Sequence, residues 1–489
     1  MDLKTMAKSK ICSEFSAGNF VEWFSRKRDC FVNHIDTLYY VVYPACEWKE
    51  DIYKKQFCEY IKSKKALAEE VRESVKIFEE IDDNIEVKPY FGFQMYNLHF
   101  GRQDCFDVFV CENPPTPQTP PIIVQLRSQF LWLWGSRNAF DVSCDIIEAV
   151  LLSFGIEILK VQENRIDYAF HTNYIQDIMN FFPETCLKKM QISNFERWHK
   201  EGKFCEDDTL CDYFVLGRRK SNNVFFRVYN KTQEVIENGY KQFFIPLWES
   251  EGLISKFDKY ILEKAFVSGT YESKEKARCE FYLSYGSDFS AKLDIQALID
   301  NPDTPINTYK RFADKLVPDL TIITNVEYQT KRKFYDRLDI SRKTMDRTYK
   351  SNIYNLFECY SSIIAKLTTD TLRFVRYKGE YGDMPRLKRP TASWWQALQR
   401  SKSLEFDDEQ LVMIIRTYQN NLDIERRKHL ALSGIASNVS CLSGVRGSPF
   451  ENDMYDMIAN LNDNDLNYYY RRKAKSLKDL KMKGLIGND

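Results

Sequence analysis

One short segment places a tyrosine between two cations. In NNVFFRVYNK, residues 222–231, Arg227, Tyr229 and Lys231 occupy every second position, and the alternate positions before them are apolar (Val224, Phe226, Val228). Successive side chains of a β-strand point to opposite faces, so the three polar groups would project together from a face whose reverse is apolar. A phenol can attack a phosphodiester and keep the cleaved bond as an ester, while arginine holds the charge of the transition state. Because neighbouring cations favour the phenolate, we predict Tyr229 as a nucleophile and Arg227 as its catalytic partner.

Two further segments carry carboxylates at strand-like spacing. In NRIDYAFH, residues 164–171, Arg165 and Asp167 share one face, and in KARCEFYLSY, residues 276–285, so do Arg278 and Glu280. Carboxylates bind hard divalent cations, which polarise phosphoryl oxygens. We therefore predict Asp167 and Glu280 as ligands of Mg²⁺ or Mn²⁺. The alternative is a solvated polar sheet face with structural arginine–carboxylate pairs.

A second tyrosine competes for the role of nucleophile. In NVEYQTKRKFYDR, residues 325–337, Tyr335 stands close to Lys331, Arg332 and Lys333. The segment reads either as a solvated basic helix or as a set of DNA-backbone contacts, since lysine and arginine near phosphates displace counterions. Tyr335 is kept as the alternative nucleophile.

The surrounding pattern of elements predicts an α+β fold. Short aromatic and β-branched runs alternate with helical segments between about residues 88 and 285, which indicates a central antiparallel sheet with helices on one face. Helical regions are expected on either side of this part of the chain. The predicted parts are a helical N-terminal region (1–85), the α+β domain (86–300), a helical basic extension (301–380) and a C-terminal helical region with a basic tail (381–489).

Composition limits the classes of function. The 489 residues contain 70 lysines and arginines and 70 aspartates and glutamates, so any DNA binding must come from local patches. The 13 cysteines show no zinc-ligand or disulfide spacing, which fits a reducing cytoplasm. The N-terminus lacks an apolar signal core and no long apolar stretch occurs, so we expect a cytoplasmic protein without a membrane span.

The order of these motifs resembles the replication initiator family (Rep_trans) of Gram-positive rolling-circle plasmids and the relaxases of related integrative conjugative elements. Members carry an Arg-Ile-Asp strand, a Gly-x-Arg-x-Ser turn before a strand ending Arg-x-Tyr-x-Lys, and a later Arg-x-Glu strand. The matching positions are Arg165, Ile166, Asp167, Gly217, Arg219, Ser221, Arg227, Tyr229, Lys231, Arg278 and Glu280.

The resemblance implies that Tyr229 nicks one DNA strand at an origin. The protein would stay linked to the 5′ phosphate, leave a 3′ hydroxyl for a polymerase and recruit a host helicase; whether it dimerises stays open. Besides Lys331, Arg332 and Lys333, the DNA contacts expected are Arg165, Arg219, Lys231 and Arg278. The RIDYAFH segment lacks the second acidic residue that the family usually has. A catalytically inactive DNA-binding replication-accessory protein of the same fold is the alternative.

Overall fold

The computed structural model describes residues 22–27, 30–78, 84–90, 92, 95–116, 118–182, 190–193, 198–199, 213–219, 223–239, 241–336, 338, 348–381 and 383–406. The chain divides into two compact units, and all described residues except Leu338 belong to the first, residues 1–336 and 340–414. The motif position Ser221 and the predicted basic tail lie outside the described residues.

A large antiparallel sheet forms the centre of this unit. Its strands, with a separate short pair, are β1 (Phe31–Pro44), β2 (Val75–Lys76), β3 (Ile85–Val87), β4 (Leu98–Arg102), β5 (Phe106–Val110), β6 (Ile122–Leu126), β7 (Ile158–Thr172), β8 (Gln191–Ser193), β9 (Trp198–His199), β10 (Tyr213–Leu216), β11 (Val224–Asn230), β12 (Thr324–Lys331), β13 (Leu372–Phe374) and β14 (Lys402–Ser403). The order across the sheet is β2-β3-β4-β5-β6-β1-β7-β12-β11-β10-β9; β14 pairs with β1 in parallel, and β8 pairs with β13.

Helices follow the strands along the whole described chain. They are α1 (Ile52–Val71), α2 (Ser128–Trp134), α3 (Ser136–Leu152), α4 (Ile178–Phe181), α5 (Lys231–Asn238), α6 (Phe244–Ser250), α7 (Lys256–Ser268), α8 (Lys274–Tyr285), α9 (Phe289–Asp300), α10 (Ile306–Leu316), α11 (Arg332–Tyr335), α12 (Ser351–Glu358), α13 (Tyr360–Lys366) and α14 (Ser393–Gln399). Short 3₁₀ turns (Tyr271–Ser273, Gly379–Tyr381, Arg386–Lys388) and one π-helical turn (Leu367–Thr371) complete the set. The predicted α+β class with a central antiparallel sheet is confirmed.

The N-terminal region differs from the helical segment that we predicted. Helix α1 forms as expected, with the Asp51 side chain accepting a hydrogen bond from the Lys54 amide as N-cap. Residues 31–44, however, are the long strand β1, which pairs with both β6 and β7. The FVNHIDTLYYVVYP sequence is rich in β-branched and aromatic residues, which favour a strand packed on both faces.

The two faces of β7 and β11 follow the alternation predicted from the sequence. On the apolar face Ile166, Tyr168 and Phe170 are at most 1% exposed, and Phe226 is 0% exposed. This face packs against the C-terminal described helices, as the contact of the Tyr168 and Tyr360 rings shows.

The prediction of helices on one face only is wrong, because helices also contact the polar face at one end of the sheet. There His171 stacks on Trp132 of α2, with ring centroids 4.6 Å apart, and lies edge-on to Phe244 of α6. Further along the same face the side chains of Arg165 and Arg227 keep 22% and 32% of their surface exposed. The helices therefore leave this part of the polar face accessible.

Truncating Phe226 tests the packing of the apolar face. Its ring lies 4.9 Å from Tyr328 and 6.2 Å from both Phe374 and Trp395. We expect Phe226→Ala to lower the free energy of unfolding by about 3–5 kcal/mol, because a buried aromatic leaves a cavity. Urea denaturation measures the loss. The control Val267→Ala, at a side chain 85% exposed, should change it by less than about 0.5 kcal/mol; equal losses would contradict the assigned packing.

Candidate active site

Three adjacent strands bring polar residues to one face of the sheet. Across β11 and β12, Arg227 is opposite Glu327 and Tyr229 is opposite Asn325. Strand β12 pairs on its other side with β7, which carries Asp167. Directly opposed residues of an antiparallel pair project from the same face. The five side chains therefore form one cluster, which we call the tyrosine site.

A buried carboxylate lies at the centre of the tyrosine site. Glu327 is 0% exposed and accepts hydrogen bonds from Arg227 Nε at 2.8 Å and Arg227 Nη2 at 2.9 Å. Its Oε2 also accepts from Asn325 Nδ2 at 3.1 Å. Burial raises the pKa of Glu327, against the opposing charge of Arg227. The carboxylate is thus a better proton acceptor than an exposed glutamate would be.

Three polar groups surround the hydroxyl oxygen of Tyr229. It donates to Glu327 Oε2 at 3.3 Å and accepts from Asn325 Nδ2 at 2.9 Å and from Lys231 Nζ at 3.4 Å. Arg227 lies over the ring, with its Cζ 4.9 Å from the centroid. The arrangement provides one acceptor for the phenol proton and two donors for the oxygen that remains.

The neighbouring cations Lys231 and Arg227 favour the Tyr229 phenolate, as expected, but the burial of the phenol outweighs them. Burial raises the pKa of Tyr229 well above its usual range, and Glu234 and Glu327 add to the rise, against Lys231 and Arg227. A buried phenolate loses more hydration energy than these two cations return. Attack by Tyr229 therefore requires a base within reach of its proton, and Glu327 is at that distance.

Asp167, the first predicted metal ligand, is already paired. It is 1% exposed and accepts hydrogen bonds from Arg165 Nε at 2.9 Å and from Arg165 Nη2. A carboxylate held on both oxygens by one guanidinium has little capacity left for a cation.

Glu280 and Arg278, predicted on a third strand of this face, lie on helix α8. Their segment packs against α7 and α10, and Arg278, 1% exposed, pairs with Glu275 and Asp314. The predicted strand is wrong because the residues Ala277 and Phe281, which are buried, also fit a helical spacing. Tertiary packing selects that spacing. Glu280 therefore does not share a sheet face with Asp167, and Arg278 is not an exposed DNA contact.

The predicted metal centre does not fit this arrangement. Among the described residues, no three or more His, Cys, Asp or Glu side chains are grouped so that they could hold a metal ion. Asp167 and Glu327 share the face, but each is neutralised by an arginine. We assign no chemical step to a metal ion.

The second tyrosine belongs to the core. Tyr335 is 4% exposed, and its hydroxyl bonds to Thr330 and, at 3.0 Å, to Tyr168 on the apolar face. Residues 324–331 form strand β12, and the basic-helix prediction holds only for the short turn α11. Within that turn, Arg332 pairs with Asp336 at 3.7 Å and Lys333 is exposed.

Strand β12 supplies the two residues that sequence reasoning missed, Asn325 and Glu327. The signal was present: Asn325, Glu327, Gln329 and Lys331 alternate with Val326, Tyr328 and Thr330. The run of cations at the end of the segment led to the prediction of a basic helix instead. The period of two was the correct guide.

Four cations form what we call the cation patch: Arg165, Arg219, Arg227 and Lys331. Arg219 Nε donates to Gln329 Oε1 at 3.2 Å, and Lys331 Nζ donates to the carbonyl oxygen of Arg219 at 2.5 Å. Burial lowers the pKa of Arg219, and the charges of Arg165 and Arg227 add to the effect. Cations close enough to destabilise one another form a site that favours an anion.

Lys231 serves the interior rather than the surface. It is 0% exposed, so it is not the direct DNA contact predicted from the sequence. Its Nζ lies 2.7 Å from Glu234 Oε2, and Glu234 Oε1 accepts from Lys241 Nζ at 2.6 Å. Burial disfavours the charge of Lys231, but Glu234 outweighs it and raises the pKa of the lysine. Lys231 is thus a fixed positive charge beside the Tyr229 hydroxyl.

Comparisons with known proteins add little to this geometry. No protein-family model matches the sequence, and no curated protein is significantly similar to it. One solved structure, described as a rolling circle replication initiator protein from Geobacillus stearothermophilus, is 11% identical with a TM-score of 0.35; the match covers 76% of this chain and 98% of that chain. A TM-score of this size is too low to support an argument.

None of the helices among the described residues combines the length and apolar character needed to cross a bilayer.

Removing the charge of Glu234 tests the buried lysine pair. We expect Glu234→Gln to destabilise the fold by about 3 kcal/mol, because Lys231 and Lys241 would lose their shared counter-charge. The two lysines lower the pKa of Glu234 to about 2. This stabilisation is present above the unfolded-state pKa of about 4.3 and is lost as the pH falls towards 2.

Chemical denaturation between pH 7 and pH 2 measures both effects. The matched control is Glu237→Gln on the same helix, whose exposed carboxylate contacts only Gln233 among the hydrogen bonds described. The acid-dependent loss should shrink in Glu234→Gln and persist in Glu237→Gln. The same pH dependence in both variants would contradict the role of Glu234.

Proposed function

We propose that this protein cleaves one strand of DNA with Tyr229 as the nucleophile, as an initiator of rolling-circle replication or a related relaxase does. The observation that carries the proposal is the surrounding of the Tyr229 hydroxyl: Glu327 as acceptor at 3.3 Å, with Asn325 and Lys231 as donors. The motif order seen in the sequence agrees with it.

The chemistry follows from the positions of these groups. Glu327 takes the phenol proton as the Tyr229 oxygen attacks phosphorus, so that the new bond is Tyr229 O–P and the bond broken is P–O3′. The 3′ oxygen leaves as a hydroxyl after gaining a proton from solvent. Asn325 and Lys231 stabilise the charge that develops on the phenol oxygen. The product is a 5′-phosphotyrosyl ester and a free 3′ hydroxyl.

The cation patch would hold the DNA backbone beside the nucleophile. Arg227 contacts Glu327 and the face of the Tyr229 ring, which places its guanidinium next to an incoming phosphate. Arg219 and Lys331 extend the positive charge away from the tyrosine along the sheet face. Single-stranded backbone is the substrate that this linear patch suits.

Separate substitutions of Tyr229 and of its base, Glu327, distinguish an effect on DNA cleavage from an effect on DNA binding. On single-stranded oligonucleotides tiling the replicon that encodes the protein, we expect Tyr229→Phe to abolish cleavage and keep DNA affinity. Glu327→Gln should lower the single-turnover rate by about 10²-fold or more, since a positioned base contributes on that scale. Because the pKa of Tyr229 is raised, the Glu327→Gln rate should increase with pH across the alkaline range.

Tyr335→Phe is the matched control, because it removes a buried hydroxyl without touching the tyrosine site. It should cleave at the wild-type rate. Cleavage by Tyr229→Phe would overturn the assignment, and the absence of cleavage by every protein despite tight DNA binding would favour the accessory-protein alternative.

Other features stay predictions from the sequence. The requirement for Mg²⁺ or Mn²⁺ is tested by cleavage in EDTA with and without added ion. Recruitment of a host helicase and formation of a homodimer are tested by co-purification and by the mass of the protein in solution.

The salt dependence of DNA binding tests the cation patch. We expect Arg219→Ala to weaken binding of a single-stranded oligonucleotide and to reduce the slope of log K against log salt by about 0.7, the value for one phosphate contact. The control Lys264→Ala removes an exposed cation of α7 and should leave the slope unchanged. An unaltered slope in Arg219→Ala would exclude its contact with phosphate.

A further inference from the structure

A cleft of about 500 Å³ opens on the polar side of the sheet, next to the tyrosine site. Residues from β1, β4, β5, β6, the start of α2 and the loops beside these strands line it, together with Lys241 and Phe243 ahead of α6. Its volume lies within the range of about 300–1,000 Å³ typical of pockets that enclose small organic molecules. None of the residues assigned to the tyrosine site or the cation patch lines it.

A chain of contacts connects the cleft to the nucleophile. Lys241, in the cleft wall, contacts Glu234 at 2.6 Å; Glu234 contacts Lys231 at 2.7 Å; and Lys231 contacts the Tyr229 hydroxyl at 3.4 Å. The cleft wall is therefore linked to the Tyr229 hydroxyl through three side chains in succession. If Tyr229 attacks a phosphate of a DNA strand, a neighbouring nucleotide of that strand would be within reach of the cleft.

The charges of the cleft disfavour a phosphate. Its described lining contains three carboxylates, Asp36, Asp104 and Asp107, against the cations Arg127 and Lys241. Arg127 is committed to Asp107, through Nε at 2.7 Å and Nη2 at 3.1 Å. Two more lining residues, Gln125 and Gln129, offer amide donors and acceptors. A polar, uncharged group that donates and accepts hydrogen bonds fits these partners better than an anion does.

Aromatic rings supply the remaining wall. Tyr90 is 60% exposed, and its ring centroid lies 6.0 Å from that of His99. His99 in turn stacks on Phe109, with centroids 4.6 Å apart and planes inclined by 26°. An exposed ring beside a stacked pair is a platform on which a planar heterocycle can pack.

His99 also carries a polar atom that lacks a partner. Its side chain is 9% exposed, and its Nε2 lies 2.9 Å from Asp107 Oδ1. Its other ring nitrogen, Nδ1, is buried without a hydrogen-bond partner among the described residues. Buried polar atoms are normally satisfied, so an unpaired one in a cleft wall points to a ligand.

We propose that this cleft binds one unpaired nucleobase of the DNA strand that Tyr229 cleaves. This inference rests on the proposed function and adds a site that reads a base, whereas the cation patch contacts only backbone. Stacking on Tyr90 and hydrogen bonds from the polar lining would draw the base out of the strand and fix the register of the scissile phosphate.

Binding of two strands with the same phosphates but different bases tests the proposal. The probes are a single-stranded oligonucleotide of mixed sequence and an abasic strand of equal length. We expect Tyr90→Ala to weaken binding of the base-containing strand by about 5- to 100-fold, the range for one base stacked on an aromatic ring, and to leave binding of the abasic strand unchanged. A second cleft variant, Gln125→Ala, should act in the same direction.

The matched control is Tyr53→Ala on α1. Tyr53 is 50% exposed, and its helix packs on the opposite face of the sheet, where Phe57 contacts Phe100. It should bind both strands as the wild type does. Equal weakening of both strands by Tyr90→Ala, or of neither, would overturn the base site.

The same measurements distinguish failure of the base site from failure of the proposed function. If the wild-type protein bound neither strand, the proposed function itself would fail; loss of the base effect alone would leave it intact. Titration of the four deoxynucleoside monophosphates identifies the source of the base. A monophosphate that binds through Tyr90, without any effect of Tyr90→Ala on the oligonucleotide, would assign the cleft to a free nucleotide and overturn the strand as its source.

Discussion

The tyrosine site depends on one buried ion pair, Glu327 with Arg227 on the adjacent strand. Glu327 is 0% exposed, and a carboxylate without a partner at this depth would strongly disfavour folding. The guanidinium compensates it with two parallel hydrogen bonds. The pair spans directly opposed positions of β11 and β12, and in this register the Tyr229 hydroxyl lies beside Asn325 and Glu327.

The same balance between burial and charge recurs around the site. Asp167 is held by Arg165, and Lys231 by Glu234. In each pair a buried charge is neutralised by a neighbouring group of opposite charge. Arg219 and Lys331 add further positive charge to the cation patch, whereas three carboxylates lie in the lining of the cleft. The cation patch is positively charged, whereas the cleft lining carries more carboxylates than lysines and arginines. The backbone and a base of one DNA strand would therefore bind at separate places.

The sequence predicted strands β7 and β11 because their polar and apolar residues alternate without interruption, and the roles of the two faces followed. It could not place residues 274–285, since Arg278 and Glu280 fit a strand period and Ala277 and Phe281 a helical one. Only packing against α7 and α10 decides between them. Strand β12 was hidden by the cations at its end, and its partner strands lie about 100 and 160 residues away along the chain. Glu327 therefore became visible only in the folded sheet.

The covalent adduct itself gives the most direct test of the central claim. Trypsin cuts after Arg227 and Lys231, so residues 228–231 form a short peptide, VYNK, whose sole tyrosine is Tyr229. The protein is allowed to cleave DNA and is then digested with nuclease and trypsin. Mass spectrometry should find this peptide with a nucleotide attached to its tyrosine through the 5′ phosphate. A nucleotide attached in this way to a different tyrosine, such as Tyr335, would contradict the account.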